Sequence, residues 1–182
     1  MFITPKRFIT ANNFNFTRVV ILSIGILISG AIFSRLTGLF PLFLYFGDFY
    51  QNIGGISNII LNNLPFFFIL NYFVYYIIIE SICRFVYKRR ENSLKLLLCF
   101  SLILFPMVLY LVLHFTFLLI DILNLEVIGI LDYIILIILQ VWSLWIQTYC
   151  LSVYKYLKIE NSLILSLLVH YGAFSILLLI SI

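Results

Sequence analysis

Three ionisable side chains, His114, Asp132 and His170, lie inside long apolar runs of the sequence. An ionisable group in hydrocarbon is costly to bury, so such residues are functional candidates wherever they occur in a membrane span. His114 and Asp132 stand at nearly equal distances from the middle of the short turn DILNLE, residues 121–126. They are therefore expected at the same depth of a helical hairpin, where they could form a buried pair. Structural pairing, ion or proton handling, and catalysis are the three interpretations of these residues.

The surrounding sequence does not supply the usual partners of catalysis. No serine in a GxSG setting, no HExxH motif and no carboxylate pair accompanies the two histidines. Cys83, Cys99 and Cys150 lie in or beside apolar runs, without the spacing of a metal site or a disulfide framework. The sequence predicts a protein that is not an enzyme, with no catalytic, cofactor-binding or metal-binding residues and no cofactor.

A second candidate site is strongly basic. Glu80 and Arg84 are four residues apart with the glutamate first, which is the favourable order for an ion pair on a helix. The pair could simply neutralise a helix end. The alternative is a docking surface on the inner face that attracts anionic lipid headgroups or an acidic partner. Its candidate residues are Glu80, Arg84, Lys88, Arg89 and Arg90.

Small residues recur at helical spacing near the start of the chain. Gly25 and Ser29 form one stripe, and Gly30, Ser34 and Gly38 form another. Such stripes allow helices to approach closely in a membrane. Packing within the chain is the first interpretation and self-association is the second.

The composition determines the environment in which these sites must work. Hydrophobic residues make up 64% of the 182 residues and charged residues 10%, against about 45–50% and about 25% in a soluble domain. A water-soluble fold could not hide that much apolar surface. With about 20 residues needed for each crossing, we predict an all-α integral membrane protein. It consists of a single transmembrane domain, residues 1–182, that forms a bundle of five transmembrane helices.

The predicted spans are 19–40, 58–80, 94–120, 127–150 and 162–182. Pro106 lies near the middle of the third span, where neighbouring helices can satisfy the carbonyl that it frees. Thr4 and Pro5 are typical of a helix start and predict a short N-terminal interfacial helix.

Basic residues provide a test of this map, because cytoplasmic loops retain positive charge. Of the eleven lysines and arginines, all except Arg35 fall on one side of a five-span arrangement. The N-terminus is therefore predicted inside and the C-terminus outside. The residues on the inner side are Lys6, Arg7, Arg18, Arg84, Lys88, Arg89, Arg90, Lys95, Lys155 and Lys158.

The layout resembles the Yip1-like (Yip1/Yif1) superfamily of five-span membrane proteins, in a minimal or prokaryotic form. The resemblance is carried by Pro5–Phe8, by RRENSLKLLLCFSLILFPMVLYLV with its mid-helix proline, and by VWSLWIQTYCLSVYKYLKIENSLILSLL. It implies a non-enzymatic role in membrane organisation or trafficking, through contacts between helices and between proteins. The long polar N-terminal region of eukaryotic members is missing, so its trafficking partners are not implied.

Three functions are consistent with the sequence. The leading one is a Yip1-like scaffold or adaptor. The others are a hydrophobic accessory subunit of a larger membrane complex, such as a respiratory assembly, and a small transporter or channel component that uses His114, Asp132 and His170. The expected partners are the lipid bilayer and other membrane proteins or further copies of the chain, with no nucleic acid. The plasma membrane of a prokaryote is the expected location, with the mitochondrial inner membrane as the alternative.

Overall fold

The computed structural model of the chain describes residues 16–37, 63–121 and 127–180. These residues form five helices and no strand, which confirms the all-helical prediction for this part of the chain. The helices are α1 (Phe16–Thr37), α2 (Leu64–Phe85), α3 (Ser93–Asp121), α4 (Val127–Tyr154) and α5 (Ile159–Ile180). The predicted N-terminal interfacial helix lies outside the described residues, as do positions 38–40, 58–62 and 181–182 of the predicted spans.

At its end α2 continues to Phe85, beyond residue 80, where the predicted second span ends. Glu80 and Arg84 pair across one helical turn, with Arg84 Nε 2.6 Å from Glu80 Oε1, so these charges do not end the helix. The chain turns at Lys88, whose φ of 55° is left-handed. The Arg89 N–H then donates to the Cys83 carbonyl at 2.8 Å and closes the helix end. The fourth helix, α4, also continues past the end of its predicted span at residue 150 and ends at Tyr154.

The first helix runs parallel to the third. Ser23 Oγ, early in α1, donates to the Leu98 carbonyl early in α3 at 3.1 Å. Further along both helices, the Phe33 and Phe115 rings meet edge to face with their centroids 5.9 Å apart. The start of α1 and the start of α3 therefore lie at the same end of the bundle.

The second and fourth helices run the opposite way. Tyr76 Oη, near the end of α2, donates to the carbonyl of Ser93 at the start of α3. Asn92, just before α3, donates to the carbonyl of Tyr154 at the end of α4. The resulting up-and-down bundle gathers basic residues at one end, where α1 and α3 begin and α2 and α4 end. They are Arg18, Arg84, Lys88, Arg89, Arg90, Lys95, Lys155 and Lys158.

The third helix is the centre of the bundle. Its most apolar stretch is 61% buried, against 33% for α1, 35% for α2 and 44% for α4. The helix continues through Pro106, whose ring nitrogen cannot donate to the carbonyl four residues earlier. At the neighbouring residue Ile103, the carbonyl accepts a hydrogen bond of 2.7 Å from Ser143 Oγ of α4. A side chain from an adjacent helix thus supports α3 beside its proline.

Among the residues that the structure describes, four stretches are long and apolar enough to cross a membrane: Thr17–Thr37, Leu64–Phe85, Ser93–Ile120 and Ile130–Tyr154. Their outward faces are apolar too, as shown by Ile28 on α1 and Ile137 on α4, which are both more than half exposed. These features indicate an integral membrane protein. The helix α5 is 22 residues long, and its stretch Ile159–Val169 is apolar. A fifth crossing remains a prediction.

Candidate functional site

A buried ion cluster lies at the basic end of the bundle. Lys155 follows the last residue of α4 and is completely buried. Its Nζ lies 2.7 Å from Glu80 Oε2, 2.8 Å from the Glu91 carbonyl oxygen and 3.1 Å from Ser93 Oγ. An ammonium group has three hydrogens to donate. Two hydrogens are donated to the loop before α3 and to α3 itself, and the charge of the ammonium is paired with the Glu80 carboxylate of α2.

Glu80 is the shared anion of this cluster. Its Oε1 accepts from Arg84 Nε at 2.6 Å and from the Ser93 hydroxyl, while its Oε2 faces Lys155. The Glu80 side chain is 8% exposed and that of Arg84 is 48% exposed. A buried charge is tolerated when it is paired and hydrogen-bonded. The structure thus places Glu80 inside an interhelical network, and of the predicted docking residues only Arg84, Lys88, Arg89 and Arg90 are exposed.

The same cluster joins two loops. Asn92 Nδ2 lies 3.4 Å from the Tyr154 carbonyl oxygen and 3.4 Å from the Tyr156 hydroxyl. Asn92 and Tyr156 both have left-handed backbones, with φ of 51° and 53°, a conformation that asparagine tolerates and tyrosine rarely adopts. The α2–α3 loop and the α4–α5 loop are therefore held against each other in one defined arrangement.

The second polar cluster lies near the opposite end of α3 and α4. His114 Nδ1 is 2.9 Å from Asp132 Oδ2, and the Tyr110 hydroxyl donates to the same oxygen at 3.1 Å. The side chains of His114 and Asp132 are 19% and 17% exposed. The structure thus brings together the two residues whose equal distance from the turn predicted equal depth. The His170 side chain lies outside the described residues.

This cluster has the chemistry of a proton-sharing or structural pair. Asp132 Oδ2 has two partners, whereas the buried Oδ1 has no hydrogen bond among the described residues. The Tyr110 and His114 rings are tilted against each other with centroids 5.6 Å apart, which fixes the orientation of the imidazole. Within the described part of the chain, no group of three or more His, Cys, Asp or Glu residues is arranged to hold a metal ion.

The two small-residue stripes of α1 have different surroundings. A Cβ added at Gly30 would lie 2.2 Å from Phe68 Cζ and 3.0 Å from Val108 Cγ2, so α2 and α3 fill this side. Ser34, on the same stripe, is fully buried. A Cβ added at Gly25 would meet nothing within 4 Å, and Ser29 on that stripe is half-buried. Gly38 lies outside the described residues.

Two functional contacts were missed by the sequence analysis. Lys155 was counted only as a loop cation, although it is the buried partner of Glu80. The Tyr75 hydroxyl of α2 donates to Gln147 Oε1 of α4 at 2.8 Å, a contact that the sequence did not predict. The sequence contains polar side chains within its apolar runs, and each of them needs a partner when it is buried. This indicated that partners exist but not which ones.

The fold and the two clusters together define a bundle of long apolar helices that are joined by buried polar contacts. No protein-family model, no curated protein and no solved structure matches the chain.

Proposed function

We propose that the protein is a non-enzymatic membrane scaffold or adaptor of Yip1-like type, which holds other membrane proteins through its exposed helix faces. The observation that carries this proposal is the open position at Gly25 on the outward side of α1. Without a hydrophobic driving force between helices in lipid, association depends on close packing, which small residues allow.

The surroundings of Gly25 support a contact with another helix. Ile21, Ile24 and Ile28 on the same helix are 65%, 51% and 54% exposed. The glycine therefore forms a notch between bulky isoleucines, into which a ridge of another helix fits. The other stripe of α1 is already occupied by Phe68, so α1 has one face for the bundle and one for a partner.

In this proposal the chain crosses the membrane five times with its N-terminus inside and its C-terminus outside. The gathering of basic side chains at one end of the bundle supports that orientation. The membrane is the plasma membrane if the source is prokaryotic, and the mitochondrial inner membrane is the alternative.

A small transporter or channel component is the second candidate, and the Tyr110, His114 and Asp132 cluster favours it. A carboxylate beside an imidazole within a helical bundle is a common arrangement for proton relays in membranes. An accessory subunit of a larger complex is the third candidate and uses the same outward faces as an adaptor. Its partners would form a fixed assembly.

Purification in a mild detergent, followed by identification of co-purifying proteins, tests the proposal. The wild type is compared with Gly25→Ile, which fills the notch, and with Ile28→Leu, a volume-conserving change on the same exposed face. Gly25→Ile should lose specific membrane-protein partners or further copies of the chain, while Ile28→Leu keeps them. Thermal unfolding should be preserved in both variants.

Several results would decide between the candidates. A wild-type protein that purifies as a clean monomer contradicts the adaptor and the subunit alike. A fixed stoichiometric assembly would favour the accessory subunit. Proton or ion flux in proteoliposomes that is abolished by Asp132→Asn would favour the transporter.

A further inference from the structure

The basic end of the bundle exposes cations on two separate loops. Lys88, Arg89 and Arg90 lie on the α2–α3 loop, and Lys158 lies on the α4–α5 loop, all of them exposed. We propose that these four residues, here called the basic platform, form one binding site for the headgroups of anionic phospholipids in the bilayer that surrounds the protein. This inference goes beyond the adaptor function and requires only that the bundle lies in a membrane.

The buried ion cluster holds the two loops together, so their exposed residues belong to one surface. Lys155 belongs to the α4–α5 loop, yet its ammonium donates to the Glu91 carbonyl of the α2–α3 loop at 2.8 Å. Asn92 donates in the opposite direction, from the α2–α3 loop to the Tyr154 carbonyl and the Tyr156 hydroxyl. The cations on both loops are therefore held in fixed relation, and binding does not have to pay for ordering either loop.

The carboxylate closest to the platform along α2 does not neutralise it. Glu80 is buried and already has Lys155 and Arg84 as partners. The exposed acidic residues flanking the platform in sequence are Glu91 and Glu160, fewer than its cations. The surface therefore carries an excess of positive charge, which a phosphodiester group complements.

Apolar side chains next to the cations identify the partner as a lipid. Phe85 and Val86, directly before the basic run, are 81% and 68% exposed, and Tyr156 and Ile159, on either side of Lys158, are 60% and 59% exposed. Exposed aromatic and apolar groups beside lysine and arginine are typical of the interface between water and lipid. At the membrane interface these residues contact acyl chains, while lysine and arginine reach the phosphates. A phospholipid supplies both chemistries in one molecule.

Native mass spectrometry of the detergent-purified full chain tests the proposal. The protein is titrated with phosphatidylglycerol and, separately, with phosphatidylcholine of the same acyl chains. Wild-type protein should bind phosphatidylglycerol with the lower Kd. Arg89→Gln/Arg90→Gln should raise that Kd by roughly fivefold for each charge removed, and Lys158→Gln alone by roughly fivefold.

A matched control removes the same charge elsewhere. Arg35→Gln, near the end of α1 and at the opposite end of the bundle from the platform, lowers the net charge as much as Lys158→Gln and should leave the phosphatidylglycerol Kd close to the wild-type value. Thermal unfolding should be unchanged in every variant, since exposed charges contribute little to stability. Such a result supports the site and excludes misfolding as the cause.

Three outcomes would overturn the proposal. Equal Kd values for the two lipids would show that the platform does not recognise anionic headgroups. An equal loss in the Arg35→Gln control would show that net charge alone governs binding. A Lys158→Gln protein that binds as well as the wild type would show that the two loops do not form one site.

Discussion

Lys155 at the end of α4 and Glu80 in α2 are joined by an ion pair of 2.7 Å, and the lysine side chain is entirely buried. The two residues lie 75 positions apart in the sequence, and their contact joins the α2–α3 hairpin to the end of α4. Since the same ammonium also bonds the Glu91 carbonyl, the pair fixes a loop as well as two helices.

Removal of the lysine should therefore be strongly destabilising. Lys155→Met leaves the Glu80 carboxylate with Arg84 as its remaining cation, and breaking a buried pair in this way costs about 3–5 kcal/mol. Replacing both partners, as in Glu80→Leu/Lys155→Met, should recover much of the loss, because no charge is then stranded. Denaturant unfolding in detergent micelles measures the effect, with the exposed Lys158→Met as the control. Equal stability of Lys155→Met and Lys158→Met would disprove the buried pair.

The His114 and Asp132 pair should show energetic coupling. His114→Ala and Asp132→Asn each strand the other residue, so the double variant should lose less stability than the sum of the two single variants, by about 0.5–3 kcal/mol. Tyr110→Phe removes only one hydrogen bond to Asp132, a contact worth about 0.6 kcal/mol on average in a membrane protein. Strictly additive losses in the double-mutant cycle would show that the two side chains do not interact energetically.

Two glycines on the same helix should respond oppositely to substitution. Gly30→Val places atoms against the Phe68 ring, which is 1% exposed and cannot move aside easily, and overpacking of this kind costs about 1–3 kcal/mol. Gly25→Ala meets no atom within 4 Å and should preserve or raise stability, because alanine favours helix by up to about 1 kcal/mol. Thermal unfolding of the two variants makes the comparison, and Phe68→Leu should partly rescue Gly30→Val. A destabilising Gly25→Ala would place a neighbour on the open face.

Membrane orientation can be measured by labelling single cysteines from each side. Lys88 and Lys158 are exposed and suit this purpose, whereas Lys155 is buried and would report nothing. In a background without native cysteines, residues 88 and 158 should react with an impermeant maleimide from the inner side, and residue 182 from the outer side. Reaction of residue 182 from the same side as residue 88 would rule out five spans.

The sequence predicted which segments form helices better than it predicted where each helix ends. The apolar runs of α3 and α4 are long and bounded by polar turns, so their starts fell within one residue of the observed ones. The helix α2 continues past residue 80, the predicted limit of the second span, and Glu80 and Arg84 pair one turn apart within it. Local spacing thus indicated a local ion pair but not where the helix ends.

Long-range partners were beyond the reach of the sequence. The proximity of His114 and Asp132 could be predicted because a short turn fixes their relative depth. No comparable turn relates Glu80 to Lys155, or Tyr75 to Gln147, and these pairs depend on how α2 packs beside α4. The two small-residue stripes of α1 could not be distinguished either, since apolar residues surround that helix on all sides.

The position of Arg84 has a further consequence for the order in which the chain is made. A ribosome delivers residue 80 well before residue 155, so α2 is synthesised before its ammonium partner exists. Arg84, only one helical turn away and paired with Glu80 in the finished protein, is synthesised almost at once and can neutralise the carboxylate during that interval. Lys155 arrives last and occupies the free oxygen, Oε2. The two cations of Glu80 therefore become available at different times, Arg84 within the same helix and Lys155 only after α4 has been synthesised.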